Sequence, residues 1–139
     1  MSQVKSDLNS KFDTQDLDLV KQILGMEITQ DKTTGSITIT QTQYLKKILE
    51  RFQMTECHPV TTPLDPNVKL NKTSNNAEPA LPQLVHEYFA VISLLNFAAI
   101  ATRLDLKYTV HELSQFMSNP SPIYWTAAKH ALLSAAKVR

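Results

Sequence analysis

Scarcity bounds this 139-residue chain before any motif does. There is one cysteine, Cys57, so no internal disulfide can form. Such thiol usage, with no signal-peptide pattern at the N-terminus, is that of an intracellular chain in the cytoplasm or nucleus. No run of roughly 18 apolar residues occurs, which argues against a membrane span. The longest apolar stretch, Phe89 to Ala101, is broken by Ser93 and Asn96 and reads as a buried helix. Internal repeats are absent. Net charge is scarce too: at +1, overall charge does not announce nucleic-acid binding. Its distribution says slightly more, with four Lys and six acidic residues before Thr40 against ten Lys or Arg and seven acidic residues after it. The length suits one domain with a real core.

What is present is densest from Ile23 to Phe52. A strand over Ile23–Thr29 and a second over Ser36–Thr40 flank the turn formers Asp31-Lys-Thr-Thr-Gly35, where Gly35 supplies a positive φ. A helix follows directly. Thr40-Gln-Thr-Gln43 fits a capping box, in which the Thr40 hydroxyl accepts from the Gln43 N–H and the Gln43 side chain reaches back. Tyr44, Leu45, Ile48, Leu49 and Phe52 share one face of this helix, which ends near Met54. Lys46, Lys47, Glu50 and Arg51 lie largely on the other. A hairpin feeding a basic-backed helix can present backbone and charge to an extended polyanion; it can equally be an ordinary α+β core.

The predicted fold class is α+β: a short antiparallel β-hairpin preceded by a helix and followed by a helix, a long Pro/Asn-rich connector and a three-helix bundle. The connector spans about 55–82, with five prolines and the run Asn71-Lys-Thr-Ser-Asn-Asn76, and reads largely as a mobile strap. Of the three helices, the one over Leu84–Ile100 is apolar on nearly every side and should be central. The next, Leu104–Met117, is capped by Thr102-x-x-Asp105 and carries the stripe Leu106, Val110, Leu113, Met117. The last opens with Ser121 as N-cap and Pro122 at N1.

Individual side chains offer few sites. Cys57-His58 are adjacent, not at metal-ligand spacing, and there is no second such pair, so no metal site is predicted. His86, His111 and His130 fall on separate helices with no nucleophile nearby. Trp125 reads as an interhelix anchor. Gly25, inside the first predicted strand, marks either a bulge or a close approach by another backbone or ligand. Arg103 sits at a helix junction, where its planar fork suits a duplex phosphate or a carboxylate across the bundle. Lys46, Lys47 and Arg51 are better placed for backbone contact, although a solvated helix face explains them too.

Two ordered series of residues carry a family resemblance. The first runs from Leu8-x-x-Lys11-Phe12-x-x-x-Asp16-Leu17 through Leu24-Gly25-Met26-Glu27-Ile28, Gln41-x-x-Tyr44-Leu45 and Phe52-x-Met54 to Cys57-His58-Pro59-Val60-x-Thr62-Pro63-Leu64. The second runs from Ala101-Thr102-Arg103-Leu104-Asp105-Leu106 through Leu113-Ser114-Gln115-Phe116-Met117-Ser118-Asn119-Pro120 to Trp125-Thr126-Ala127-Ala128-Lys129. In order and spacing they resemble the reverse transcriptase of copia-type LTR retrotransposons, over most of the chain.

The resemblance implies a role and an absence. Polymerases of this family hold two magnesium ions on palm aspartates, including a Tyr-x-Asp-Asp hairpin, to align the 3′-hydroxyl with the incoming triphosphate. No Asp-Asp pair occurs here, and the nearest approach, Asp16-Leu17-Asp18, would lie downstream of that hairpin. The resemblance therefore implies a Pol fragment that is catalytically silent alone, with no catalytic or metal residue and no cofactor of its own. Residues 1–54 would be the end of a palm helix, a primer-grip-like hairpin and a first thumb-like helix; 55–82 a flexible connector; 83–139 a thumb-like bundle. Partners would be an RNA/DNA template–primer duplex, contacted through Gly25, Lys46, Lys47, Arg51 and Arg103, and the fingers, palm and RNase H portions of the polyprotein. At Gly25 the family position favours close approach over a bulge. Departures from the pattern are Ile92 where a glycine is usual, Leu104 for a proline, Tyr124 for a histidine, and Leu133-Ser-Ala-Ala-Lys137 for a Tyr-Leu-Lys-Gly-Thr-like end. Overpacking of the kind Ile92 implies costs about 1–3 kcal/mol. Two other classes stay open: a helical protein-interaction module or relic without nucleic-acid binding, and a polymerase or nuclease subunit completed by another chain.

Overall fold

A computed structural model describes residues 2–14, 19–70 and 79–137. Among them are five α-helices and a three-stranded antiparallel sheet in the order β1-β2-β3, so the class is α+β. Residues 15–18 and the Asn-rich run at 71–76 lie outside the described residues.

The N-terminal helix α1 covers Ser2–Lys11. Val4 and Leu8 recur one turn apart along it, with Phe12 a further turn on just past its end, and all three are exposed. The strand predicted over Ile23–Thr29 is broken in two. β1 is Gln22–Ile23 and β2 is Met26–Gln30, joined by Leu24 and Gly25 with φ of 51° and 79°. Positive φ at both central residues is what a type I′ hairpin turn requires, and its twist matches that of the strands it joins. Gly25 thus serves a turn, where the sequence offered a strand bulge or a close approach by another backbone or ligand. β3, Ile37–Thr40, pairs with β2 in the register Glu27↔Thr40, Ile28↔Ile39, Gln30↔Ile37. The intervening loop is as expected at Gly35, whose φ is 72° and whose N–H donates to the Asp31 carbonyl at 2.8 Å. Hydrogen bonds from the Thr33 hydroxyl and amide, then from Thr34, pull the Asp31 carboxyl down to a pKa of about 2.

Helix α2 covers Thr42–Arg51, one residue later than a Thr40 cap demands. It ends on Gln53, which takes φ 55°. The Gln53 N–H donates to the Glu50 carbonyl at 3.1 Å and the Met54 N–H to Leu49 at 2.8 Å, the two bonds of a Schellman motif. That motif buries Met54. The chain then runs along the bundle: Leu64, Val68 and Leu70 pack against the core, and the Thr62 carbonyl meets His130 Nε2 at 2.9 Å.

The bundle follows. Helix α3, Pro82–Ala101, is central as predicted, with Tyr88, Val91, Ile92, Leu95, Ala98 and Ala99 buried. It is long and apolar enough to cross a membrane by length and composition, yet it forms the core of this bundle against α4 and α5. Ile92, where the family resemblance suggests glycine, lies in that core at 1% exposure. Tyr88 donates its hydroxyl to the Leu113 carbonyl at 2.8 Å, and burial pushes its phenol well above the ordinary value. The second bundle helix differs from expectation: a 3-10 turn at Leu104–Leu106 leads into α4, Lys107–Ser114, with no side-chain cap. Thr102 and Asp105 are engaged elsewhere. Helix α5, Pro122–Ala135, begins at Ser121 and Pro122 as predicted, although the Ser121 hydroxyl makes no capping bond. Leu45 and Ile48 of α2 join the same core, so this helix and the bundle share one apolar interior.

Gln53 occupies a left-handed position that costs a side-chain-bearing residue about 1–2 kcal/mol. Gln53→Gly is expected to raise the denaturant midpoint, by about 0.5–1 kcal/mol after the unfolded-state entropy of glycine is offset. An unchanged or lowered midpoint would refute the Schellman assignment.

Candidate nucleic-acid interface

The candidate interface is helix α2, and its orientation rests on three anchors. The first is Glu27 on β2. Its Oε1 accepts from the Gln43 N–H at 2.8 Å and its Oε2 from the Thr40 hydroxyl at 2.8 Å. The predicted capping box is replaced by this carboxylate, reaching across the sheet to the positive end of the helix. Register explains it: Glu27 stands directly opposite Thr40, so its side chain points to the face from which α2 departs. The Gln43 amide first, then the Thr40 hydroxyl, lower the Glu27 pKa below its ordinary 4.5.

The second anchor is Gln41, buried at 2% exposure, whose Oε1 accepts the Thr102 hydroxyl at 2.7 Å. That bond ties the start of α2 to the end of α3. The third is Tyr44, whose hydroxyl donates to the Leu94 carbonyl at 3.1 Å and whose ring meets Phe97 edge-on at 5.1 Å. Glu27 and Gln41 were both overlooked by sequence reasoning. An acid facing a threonine across a hairpin is the signal that would have found Glu27; Gln41 gave none, because its partner lies 61 residues away.

A helix so held presents Lys46, Lys47 and Arg51 to solvent. Lys47 and Arg51 are one turn apart on one side; Lys46 turns toward a cavity of about 420 Å³ between the hairpin–helix unit and the bundle. Glu50 lies one turn from Lys46, but among the described residues none of these three cations makes an ion pair.

Arg103 is placed differently. Its guanidinium is buried and forks onto Asp105, Nε to Oδ1 at 3.0 Å and Nη2 to Oδ2 at 2.9 Å. Nη2 also donates to the Ser134 carbonyl at 2.9 Å, and Nη1 to those of Lys137, at 3.0 Å, and Ala135. All five N–H donors are spent on Asp105 and the last turn of α5. The expected phosphate contact through Arg103 is corrected accordingly: the side chain has no donor left for a duplex. The carboxylate it clamps is Asp105, two residues on, and not one across the bundle; what it reaches across the bundle is the C-terminal end of α5. Gly25 lies at the β1–β2 turn, apart from α2. A Cβ there would meet nothing within 4 Å, so φ explains this glycine without a close-approaching ligand.

Comparison with known proteins matches residues 1–66 to the family described as "Reverse transcriptase (RNA-dependent DNA polymerase)". The chain is 34% identical over 140 residues to the retrovirus-related Pol polyprotein from transposon TNT 1-94 of Nicotiana tabacum, covering 95% of this chain and 10% of that polyprotein. The chain belongs to the copia-type reverse transcriptases. It is also 32% identical over 127 residues to the Pol polyprotein from transposon RE1 of Arabidopsis thaliana, covering 90% of this chain and 8% of that polyprotein. An uncharacterized mitochondrial protein of the same plant is 32% identical over 115 residues, 82% of this chain and 44% of its own length. No solved structure matches. The chain thus spans about a tenth of the first-matched Pol polyproteins, and as a reverse-transcriptase segment it is a piece of a larger whole. Among the described residues no three His, Cys, Asp or Glu converge as metal ligands would.

Two outcomes follow from these anchors. Glu27 binds its proton less tightly in the folded state, so its contribution is full above the unfolded pKa and is lost as pH falls through the lower folded one. The fall in denaturant midpoint on acidification below pH 4.5 should therefore be shallower in Glu27→Gln than in the parent; identical profiles would remove Glu27 as the cap. Removing the Arg103 guanidinium takes the fork from Asp105 and leaves three carbonyls without this donor. Arg103→Ala is expected to cost about 3 kcal/mol, and Arg103→Lys nearly as much for want of the fork. A loss under about 1 kcal/mol in either variant contradicts the clamp.

Proposed function

We propose that this segment grips the template–primer duplex within the reverse transcriptase, as a primer-grip and thumb element, and that it polymerises nothing alone. One observation carries the reading. Helix α2 offers three cations that make no ion pair among the described residues, and its direction is fixed from the sheet by Glu27 and from the bundle by Gln41. Like charges one turn apart, as at Lys47 and Arg51, repel, and a phosphate strand offsets that repulsion. Duplex affinity of this kind comes mainly from phosphate contacts and carries no base sequence. The two magnesium ions would be held by palm aspartates elsewhere in the polyprotein, and the whole would act inside the cell.

A second set of observations supports assembly with the rest of Pol. Partners across an antiparallel ladder point to one side, so Ile23, Met26, Ile28, Ile37 and Ile39 make one apolar sheet face. Ile23, Ile37 and Ile39 are about half exposed, as are Val4 and Leu8 on α1 and Phe12 at its end. Faces of this extent mark contact surfaces, and we assign them to the palm portion of the same polyprotein.

The test is binding of the 139-residue chain to a labelled primer–template duplex across a salt series. Substituting Lys46, Lys47 and Arg51 with Gln should reduce the slope of log K against log salt by about 0.9 for each phosphate no longer neutralised. Tight binding with an unchanged slope would refute the α2 grip. Magnesium-dependent nucleotide incorporation by the unaltered chain would refute its catalytic silence.

A further inference from the structure

A cleft of about 380 Å³ opens where the end of α2 meets α3 and α5, lined by Arg51, Phe52, His86, Glu87, Trp125 and Lys129 among others. The Arg51 guanidinium carbon stands 5.6 Å from the Phe52 ring centroid, and Lys129 Nζ stands 5.0 Å from that of Trp125. The two rings meet edge-on at 6.3 Å. Each cation thus stands by one ring of a touching pair in the same cleft, although they come from helices 78 positions apart in numbering (129 less 51). An aromatic face restrains a cation without neutralising it, as a carboxylate would. Among the described residues neither Arg51 nor Lys129 makes an ion pair. Glu87 is the acidic group lining the cleft, and its Oε1 accepts from Gln83 Nε2 at 3.1 Å. The C-terminal end of a helix ordinarily repels anions. Here the Schellman bonds occupy the Leu49 and Glu50 carbonyls, which blunts that pole.

We propose that this cleft is a nucleic-acid backbone site, taking a phosphodiester group between Arg51 and Lys129 with His86 as a third donor. The inference deepens, and rests on, the reading that the chain grips nucleic acid. Lys47 precedes Arg51 by one turn, so the cleft carries the basic side of α2 across onto α5 and extends the track to the bundle. A phosphate there offsets the charge of cations already restrained by aromatic rings, so less side-chain freedom remains to be lost on binding. Trp125 is the single tryptophan of the chain and reports on the site directly.

The experiment titrates the 139-residue chain with an unlabelled primer–template duplex, following Trp125 emission alongside the anisotropy of a labelled copy. Emission is expected to change and to saturate together with anisotropy. Lys129→Gln should lower the salt slope by about 0.9, one phosphate contact, with helical circular dichroism unchanged; Lys129→Arg should restore it. Saturable binding with Trp125 emission unmoved and the Lys129→Gln slope intact would overturn the cleft while leaving the Lys46–Lys47 grip standing. Failure of the unaltered chain to bind duplex would overturn both. An emission change with polyglutamate but not with duplex would assign the cleft to an acidic peptide and overturn the proposal.

Discussion

A buried guanidinium must find a partner for every donor, and the bundle is arranged around that requirement. Arg103 lies between α3 and the 3-10 turn, and its fork reaches Asp105 two residues on and the last turn of α5 more than thirty residues on. The same contacts fill the carbonyls that a helix end leaves open and place a cation at the negative pole of α5. One side chain thereby closes the turn after the central helix and stops the final helix. The mostly aliphatic packing around it, from Leu95 to Leu132, supplies the bulk of the burial but has no comparable directional demand.

Helix α2 is governed by a milder version of the same rule. Its open N–H groups are met by a carboxylate on the neighbouring strand, its start is tied to α3 through Gln41, and its last turn is sealed by the Gln53 left-handed residue. Those satisfied ends leave its basic side without an ion pair among the described residues. Lys46, Lys47 and Arg51 are consequently available to an external anion, whereas Arg103 is not. The contrast separates cations that fold a reverse-transcriptase segment from those left exposed on its surface.

Much of the layout was legible in residue order. Gly35, the apolar central helix, the Ser121-Pro122 start of α5 and the amphipathic face of α2 are all written locally, in turn chemistry and in periods of 3.6 residues. The errors fell where a local rule had a distant competitor. Thr40 and Gln43 match a capping box, but Glu27 is a stronger acceptor and the hairpin delivers it to the same amide. Thr102 matches an N-cap, yet it hydrogen-bonds to Gln41 instead. At Leu24-Gly25 an apolar run looked like uninterrupted strand, because a leucine at positive φ gives no warning in sequence.

The sequence by itself determined the family, the α+β class and the order of the elements, since ordered motifs and hydrophobic periods are properties of neighbouring residues. Tertiary structure alone decided which charges are spent and which are free. Arg103 and Lys129 are both cations on an apolar bundle, and nothing local distinguishes them. Five acceptors assembled from separate parts of the chain consume the first, while an aromatic ring merely steadies the second. Hydrogen-bond satisfaction is settled by what the fold brings within about 3 Å, and that is a property of the whole chain.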